Sequence, residues 1–347
     1  MAEPRLPEPI PFGRRWIGPG HPTVVIAEIG INHEGDEAVC ARMIEEAARA
    51  GADAIKLQTV VADDNYVPGT PSYALYKRAE FSRDATARMF DHARKLGLEA
   101  FTTCSDPEFL AFVDGLAPAA HKISSGLLTA ESVIRQVART GRPVLLSTGM
   151  ADWPLVERAV AAARAAAAKH VGVFQCTSIY PAPPELLNLA VIRGIGERLG
   201  VVAGFSDHSI GHEAAPIAVA AGAMMIEKHL SLDPTRPDFD HAISLDPKGL
   251  ASMVAGIRRV ETMLGSSVKQ PVGAEIEKAK TMRRFLVLRR DVEKGQVLTP
   301  LSVGVFRAPP GAGQIESWDM DRVVGRRVKR AMTRFAALRL SDLEDPD

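Results

Sequence analysis

A chain of 347 residues in which 42 Lys plus Arg balance 42 Asp plus Glu carries no net field to attract a nucleic acid or an anionic membrane. Its 46% hydrophobic content supplies a sizeable core, and no run of about 18 apolar residues offers a transmembrane span. The length exceeds what one core usually organises, so a large domain and a small one are expected.

The first residues, Met1 to Trp16, are rich in Pro, Arg and Glu and lack the apolar stretch of a secretory signal, which places the protein in the cytoplasm. Short apolar runs then alternate with stretches of helical period. The predicted strands are Val24 to Glu28, Ala54 to Gln58, Ala100 to Thr103, His121 to Ser124, Val144 to Ser147, Val171 to Gln175, Val202 to Ser206 and Met225 to His229. Predicted helices cover Asp36 to Ala50, Asp84 to Lys95, Thr129 to Thr140, Asp152 to Lys169, Glu185 to Leu199, His212 to Ala221 and Pro247 to Leu264.

Eight strand-helix units in roughly 240 residues fit a (β/α)8 TIM barrel, an α/β fold. A doubly wound sheet is disfavoured because polar residues recur at the C-terminal end of nearly every strand, which makes one shared rim where such barrels carry their active sites. Residues 1–264 are therefore read as the barrel domain and 265–283, polar with Gly, Pro and Lys, as a linker. Residues 284–347, with a turn at Glu293 to Gln296 between apolar runs, form a small β-rich domain. The three cysteines, Cys40, Cys104 and Cys176, are odd in number and far apart, which suits reduced, buried thiols.

Strand alternation points Lys56 and Gln58 together, and likewise Glu227 and His229. His208 and His229 end neighbouring strands, so their imidazoles can hold one divalent cation and leave positions open; two hydrogen-bonded rim histidines are the alternative. The pair does not choose among Mn, Fe, Co and Zn. Lys56 and Lys122 offer positive charge, and Thr103, Ser125, Ser147 and Ser206 offer hydroxyls, a set suited to a phosphate and a carboxylate. Glu28 is the best general-base candidate, with a structural role beside Lys56 or Asn32 as its alternative.

The segments Ile26 to His33, Gly51 to Gln58, His121 to Gly126, Leu146 to Met150, Cys176 to Pro181, Ser206 to Ser209, Glu227 to His229 and Asp240-His241 together resemble the sialic acid synthases and the related legionaminic and pseudaminic acid synthases. Arg290 to Gly295 and Phe306 to Gly313 resemble the antifreeze-like (SAF) domain of that family. The resemblance implies condensation of phosphoenolpyruvate with a sugar aldehyde, releasing phosphate, in a domain-swapped homodimer. It implies that His208 and His229 bind a divalent metal, manganese in first place with magnesium, cobalt or iron as alternatives. By the same resemblance Lys56, Thr103, Lys122, Ser125, Ser147 and Ser206 hold phosphoenolpyruvate, Gln58, Ser178, Tyr180, Asp240 and Arg307 hold substrate, and Glu28 and Glu227 serve the chemistry.

Two departures from the family pattern stand out. Leu127 replaces a glutamate that helps read the sugar, and Thr103-Cys104-Ser105 replaces Thr-Pro-Phe. A leucine cannot pair with sugar hydroxyls, which implies an acceptor that is deoxygenated or differently acylated at that point. A metal-dependent pyruvate-type aldolase and a non-catalytic sugar-binding homologue are the rival readings.

Overall fold

The computed structural model describes residues 6–103, 107–308, 311 and 314–344. Its backbone groups into two units, Met1–Gly265 and Ser266–Asp347.

In the first unit an antiparallel hairpin, β1 (Ile10–Phe12) and β2 (Arg15–Ile17), precedes the strand-helix repeat. The sequence patterning gave no sign of it, because strands this short leave no periodicity to read. The repeat runs β3 (Val24–Gly30), α1 (Glu37–Arg49), β4 (Ala54–Leu57), α2 (Ala62–Asn65), α3 (Pro71–Ala79), α4 (Arg83–Lys95), β5 (Glu99–Thr103), α5 (Pro107–Gly115), β6 (His121–Ile123), α6 (Glu131–Arg139) and β7 (Val144–Ser147). It continues with α7 (Trp153–Ala165), β8 (Val171–Cys176), α8 (Val191–Leu199), β9 (Val202–Asp207), α9 (Ala214–Ala220), β10 (Met225–His229) and α10 (Pro247–Leu264). Strands β3 to β10 are parallel and close into a barrel, with β10 pairing β3. All eight strands expected from the sequence are present, and α2, α3 and α5 are additions.

The helices form where the pattern requires them. In α1 the buried residues Cys40, Met43, Ile44 and Ala47 recur at one-turn spacing and make a single apolar stripe. Asp36 caps its start by accepting from the amides of Ala38 and Val39, a contribution of about 1 kcal/mol. Ser82, Asp152 and Asp246 cap α4, α7 and α10 in the same way.

What places the site is a change of character along the inward positions of the strands. Moving two residues at a time, Ile26 gives way to Glu28, Ala54 to Lys56, Phe101 to Thr103, Leu145 to Ser147, Phe174 to Cys176, and Met225 to Glu227 and then His229. The lower, apolar layer packs with Ile10, Phe12 and Ile17 of the hairpin, so that end of the barrel is plugged. Phe12 meets Phe101 edge to face, with ring centroids 5.5 Å apart.

The second unit has its own core, which includes Leu286, Leu288, Val292, Leu298, Val303, Val328, Leu338 and Leu343. Its paired strands are β11 (Arg284–Leu288) and β12 (Val303–Arg307), in antiparallel register. Before them, Gly273–Met282 forms a helix, α11, with no buried residue, inside the stretch read from sequence as linker.

Candidate active site

Four buried side chains of alternating charge lie across the polar layer. The Lys56 ammonium contacts Glu28 directly and lies 3.7 Å from Glu227 Oε1. Lys122 Nζ donates to Glu227 Oε2 at 2.6 Å, and Ser206 Oγ donates to Oε1 at 3.0 Å. Glu28 fits here because β3 shifts register against β4 between Glu28 and Gly30. Gly30 takes φ +56°, and a Cβ on it would stand 2.9 Å from Glu28 Oε1.

These environments separate the two carboxyls. Burial pushes Glu28 well above the ordinary carboxylate range, and Lys56 only partly offsets it. Burial also works against ionised Glu227, but Lys122 and Lys56 together outweigh it and hold that carboxyl low. Lys122 is itself lowered, chiefly by burial. Glu227 is thus a fixed negative charge between two lysines. Of the two carboxyls Glu28 is the readier to exchange a proton, and apart from Lys56 no described residue hydrogen-bonds to its oxygens.

The rings of His208 and His229 lie 5.5 Å apart by centroid, tilted 54°. His208 Nδ1 faces the Thr177 carbonyl at 2.8 Å, which assigns a proton to that nitrogen; burial works against the charged ring, but Cys176 and that carbonyl outweigh it and raise its pKa. The Tyr180 ring stacks on His208 at 4.2 Å. His229 Nδ1 is buried with no hydrogen-bond partner among the described residues, and Asp240 Oδ2 stands 3.7 Å away. Burial, then the neighbouring His208, push His229 far below the usual imidazole range, so it is neutral. A neutral, orphaned ring nitrogen beside a second imidazole fits a first-row divalent cation. Among the described residues no three or more His, Cys, Asp or Glu side chains are arranged to enclose an ion, so such a cation would keep open positions.

Above this floor opens a cavity of about 540 Å³. Of the residues expected from sequence it brings together Lys56, Gln58, Thr103, Lys122, Ser125, Ser147, Ser178, Tyr180, Ser206, His208, Glu227, His229 and Asp240. Glu28 does not line it; it is fully buried against Lys56. Gly149 lets hydroxyls converge: its amide donates to Ser125 Oγ at 3.0 Å, and a Cβ would come within 2.0 Å of Ser178 Oγ. Arg307 belongs to the second unit, where it ends β12 with its side chain exposed.

Several assignments change. Asn32 is no partner of Glu28: its amide donates to the Leu230 carbonyl and Ser244 Oγ at 2.9 Å, and its oxygen accepts the Asp240 amide at 3.0 Å. Cys40 packs in the core, whereas Cys176, although buried, lines the cavity with its sulfur 3.8 Å from His208 Nδ1. Cys104 and Ser105 lie outside the described residues. Sequence reasoning missed Tyr66, Leu75 and Tyr76, which reach the cavity from α3 and the end of α2. Tyr76 donates to Gln58 Oε1 at 2.6 Å. The only sequence signal for them was the long gap between β4 and α4. Leu127 lines the same cavity.

Comparison with known proteins agrees with this arrangement. Residues 43–269 match the NeuB family and residues 283–344 the SAF domain. The chain is 36% identical to an uncharacterized protein of Methanocaldococcus jannaschii over 93% of this chain and 95% of that one. It is 30% identical to the N,N'-diacetyllegionaminic acid synthase of Legionella pneumophila, covering 92% and 94% of the two chains. The crystal structure of the N-acetylneuraminic acid synthetase of Leptospira borgpetersenii superposes with a TM-score of 0.76 at 31% identity, covering 80% of this chain and 98% of that one. The protein is therefore an enzyme of the NeuB family, the sialic acid synthases, and it carries their SAF domain.

Proposed function

We propose that the protein joins phosphoenolpyruvate to an open-chain sugar aldehyde, giving a nonulosonic 2-keto-3-deoxy sugar acid and inorganic phosphate. The observation that carries this reading is the pair of lysines, Lys56 and Lys122, held against Glu227 at the floor of a cavity rimmed by serine hydroxyls and two histidines. Such a floor suits a small molecule bearing both a phosphate and a carboxylate.

In the proposed reaction C3 of phosphoenolpyruvate bonds to the aldehyde carbon, water adds at C2, and the bond from C2 to the phosphate oxygen breaks. Lys56 and Lys122 hold the anionic groups, with hydrogen bonds from Thr103, Ser125, Ser147 and Ser206. Glu28, with its raised proton affinity, takes up the proton of the attacking water by way of Lys56, which lines the cavity and passes a proton to Glu28 as it receives one from the water. His208 and His229 would hold a divalent cation, manganese by preference, which when bound would supply Lewis-acid polarisation of the aldehyde. Gln58, Ser178, Tyr180 and Asp240 orient the sugar. Leu127 and Leu75 add apolar surface to the cavity lining, which favours an acceptor lacking a hydroxyl or carrying an acyl group where they face it. The reading extends to a cytoplasmic homodimer in which Arg307 of one chain serves the substrate of the other.

The test is phosphate release from phosphoenolpyruvate with manganese and a panel of N-acetylmannosamine, mannose and 6-deoxy diamino hexoses. Release with one acceptor, with oxygen from labelled water appearing in the sugar acid and not in the phosphate, supports the reading. Product formation from pyruvate in place of phosphoenolpyruvate would turn it into an aldolase.

A further inference from the structure

We propose that the Lys228–Asp207 ion pair, on the outer face of the barrel strands, is a positioning pair that sets the spacing of His208 and His229. This rests on the cation reading of those histidines given above. Alternation along β10 turns Glu227 and His229 inward and Lys228 outward; along β9 it turns Ser206 inward and Asp207 outward. Lys228 and Asp207 face each other in register, and both are 0% exposed.

The bonds of the pair converge on one short stretch of backbone. Lys228 Nζ donates to Asp207 Oδ2 at 3.1 Å and also to the Ser209 carbonyl. Asp207 Oδ1 accepts from the Ser209 amide at 2.8 Å and from Ser209 Oγ at 2.6 Å, closing a turn whose middle residue is His208. His208 is therefore anchored on both sides, at 207 and at 209, and both anchors lead to the residue that precedes His229. Among the described residues, the other hydrogen bonds between the ends of β9 and β10 are the ladder, which stops at Asp207, and Ser206 Oγ to Glu227, and neither reaches His208 or Ser209.

Stability alone gives little reason for the pair. Two apolar side chains of similar volume in such a place usually serve a fold as well or better, because desolvating both charges offsets most of their attraction. Apolar contacts are non-directional, whereas the ammonium and carboxylate fix angles as well as distance. What the angles fix is the bite of two imidazoles whose ring centroids lie 5.5 Å apart.

The test uses Mn(II) alone as probe, titrated calorimetrically into the full-length protein, with phosphoenolpyruvate titrated separately in the absence of metal. The neutral double variant Asp207→Asn/Lys228→Met keeps the turn acceptor and leaves no unpaired charge. Its Mn(II) affinity is expected to fall about tenfold to hundredfold, as for other losses of groups that orient metal ligands, while phosphoenolpyruvate affinity stays within about twofold. Ser209→Ala, a milder change that keeps the ion pair, is expected to weaken Mn(II) several-fold and decides the matter if the double variant does not fold. Wild-type Mn(II) affinity in a folded double variant, or equal losses for Mn(II) and phosphoenolpyruvate, would overturn the positioning role. Indifference of wild-type protein to Mn(II), with His229→Ala identical to it, overturns the cation reading itself and the inference with it.

Discussion

Lys122 donates to Glu227 across 2.6 Å in a place almost closed to water, with its ammonium 4.2 Å above the centre of the Phe174 ring. Glu227 holds this lysine in position, and the carboxylate keeps Lys56 and Ser206 as further partners.

Removing that lysine should therefore weaken both fold and binding. Lys122→Met leaves a buried carboxylate short of one partner, a loss of about 3 kcal/mol in urea unfolding. The KM for phosphoenolpyruvate should rise roughly 100-fold, the equivalent of one charged hydrogen bond. An unchanged KM would remove Lys122 from the anion site.

Glu28→Gln tests the proton acceptor separately from the binding groups. The amide keeps the size of the side chain, so phosphoenolpyruvate should still bind while single-turnover phosphate release slows by about 10²- to 10⁴-fold. A variant with wild-type turnover would give the water step to another group.

Gly149→Ala acts through space alone. Its Cβ would fall on the hydroxyls of Ser178 and Ser125, which turn aside at little cost to the fold. Thermal stability should hardly move, whereas KM for phosphoenolpyruvate should rise about tenfold as one hydrogen bond of roughly 1.4 kcal/mol is lost. A parallel fall in melting temperature would show that the glycine serves packing and not the site.

His33 makes stability depend on pH. Its ring stacks on Phe81 at 3.9 Å, and burial lowers its pKa from 6.5 to about 4. The unfolded chain therefore takes up a proton at higher pH than the folded one. The stabilisation is complete above 6.5 and is lost as pH falls through 4, a change of roughly 3 kcal/mol. Denaturation at pH 7.5 and pH 4.5 should show a steeper decline for the wild type than for His33→Phe, which keeps the stack and does not titrate. Parallel declines would locate the acid sensitivity elsewhere.

The barrel was legible because short, largely apolar runs of strand length alternate with stretches of helical period, and because polar groups such as Lys56, Ser147 and His229 recur at the same end of the strands. Local pattern also sufficed to bring most of the cavity's residues together. It failed where position depends on distant partners. Asn32 sits next to Glu28's strand in sequence, yet it bonds to the Leu230 carbonyl and Ser244, some two hundred residues on, and its oxygen accepts the Asp240 amide. Tyr76 belongs to an insertion whose only sequence signal is its length, and its tie to Gln58 exists only once α3 folds over the rim. The hairpin strands β1 and β2, three residues each, fall below any periodicity test.

That hairpin makes the barrel a blind well. Phe12, with no exposed surface and set edge-on against Phe101, stops the far end, so every molecule that enters or leaves must pass the same mouth. The lysines at the floor are nearly inaccessible, while Tyr180 at the lip is half exposed. In the proposed reaction traffic then runs last in, first out: phosphoenolpyruvate loads before the sugar covers it, and phosphate can depart only after the sugar acid clears the opening.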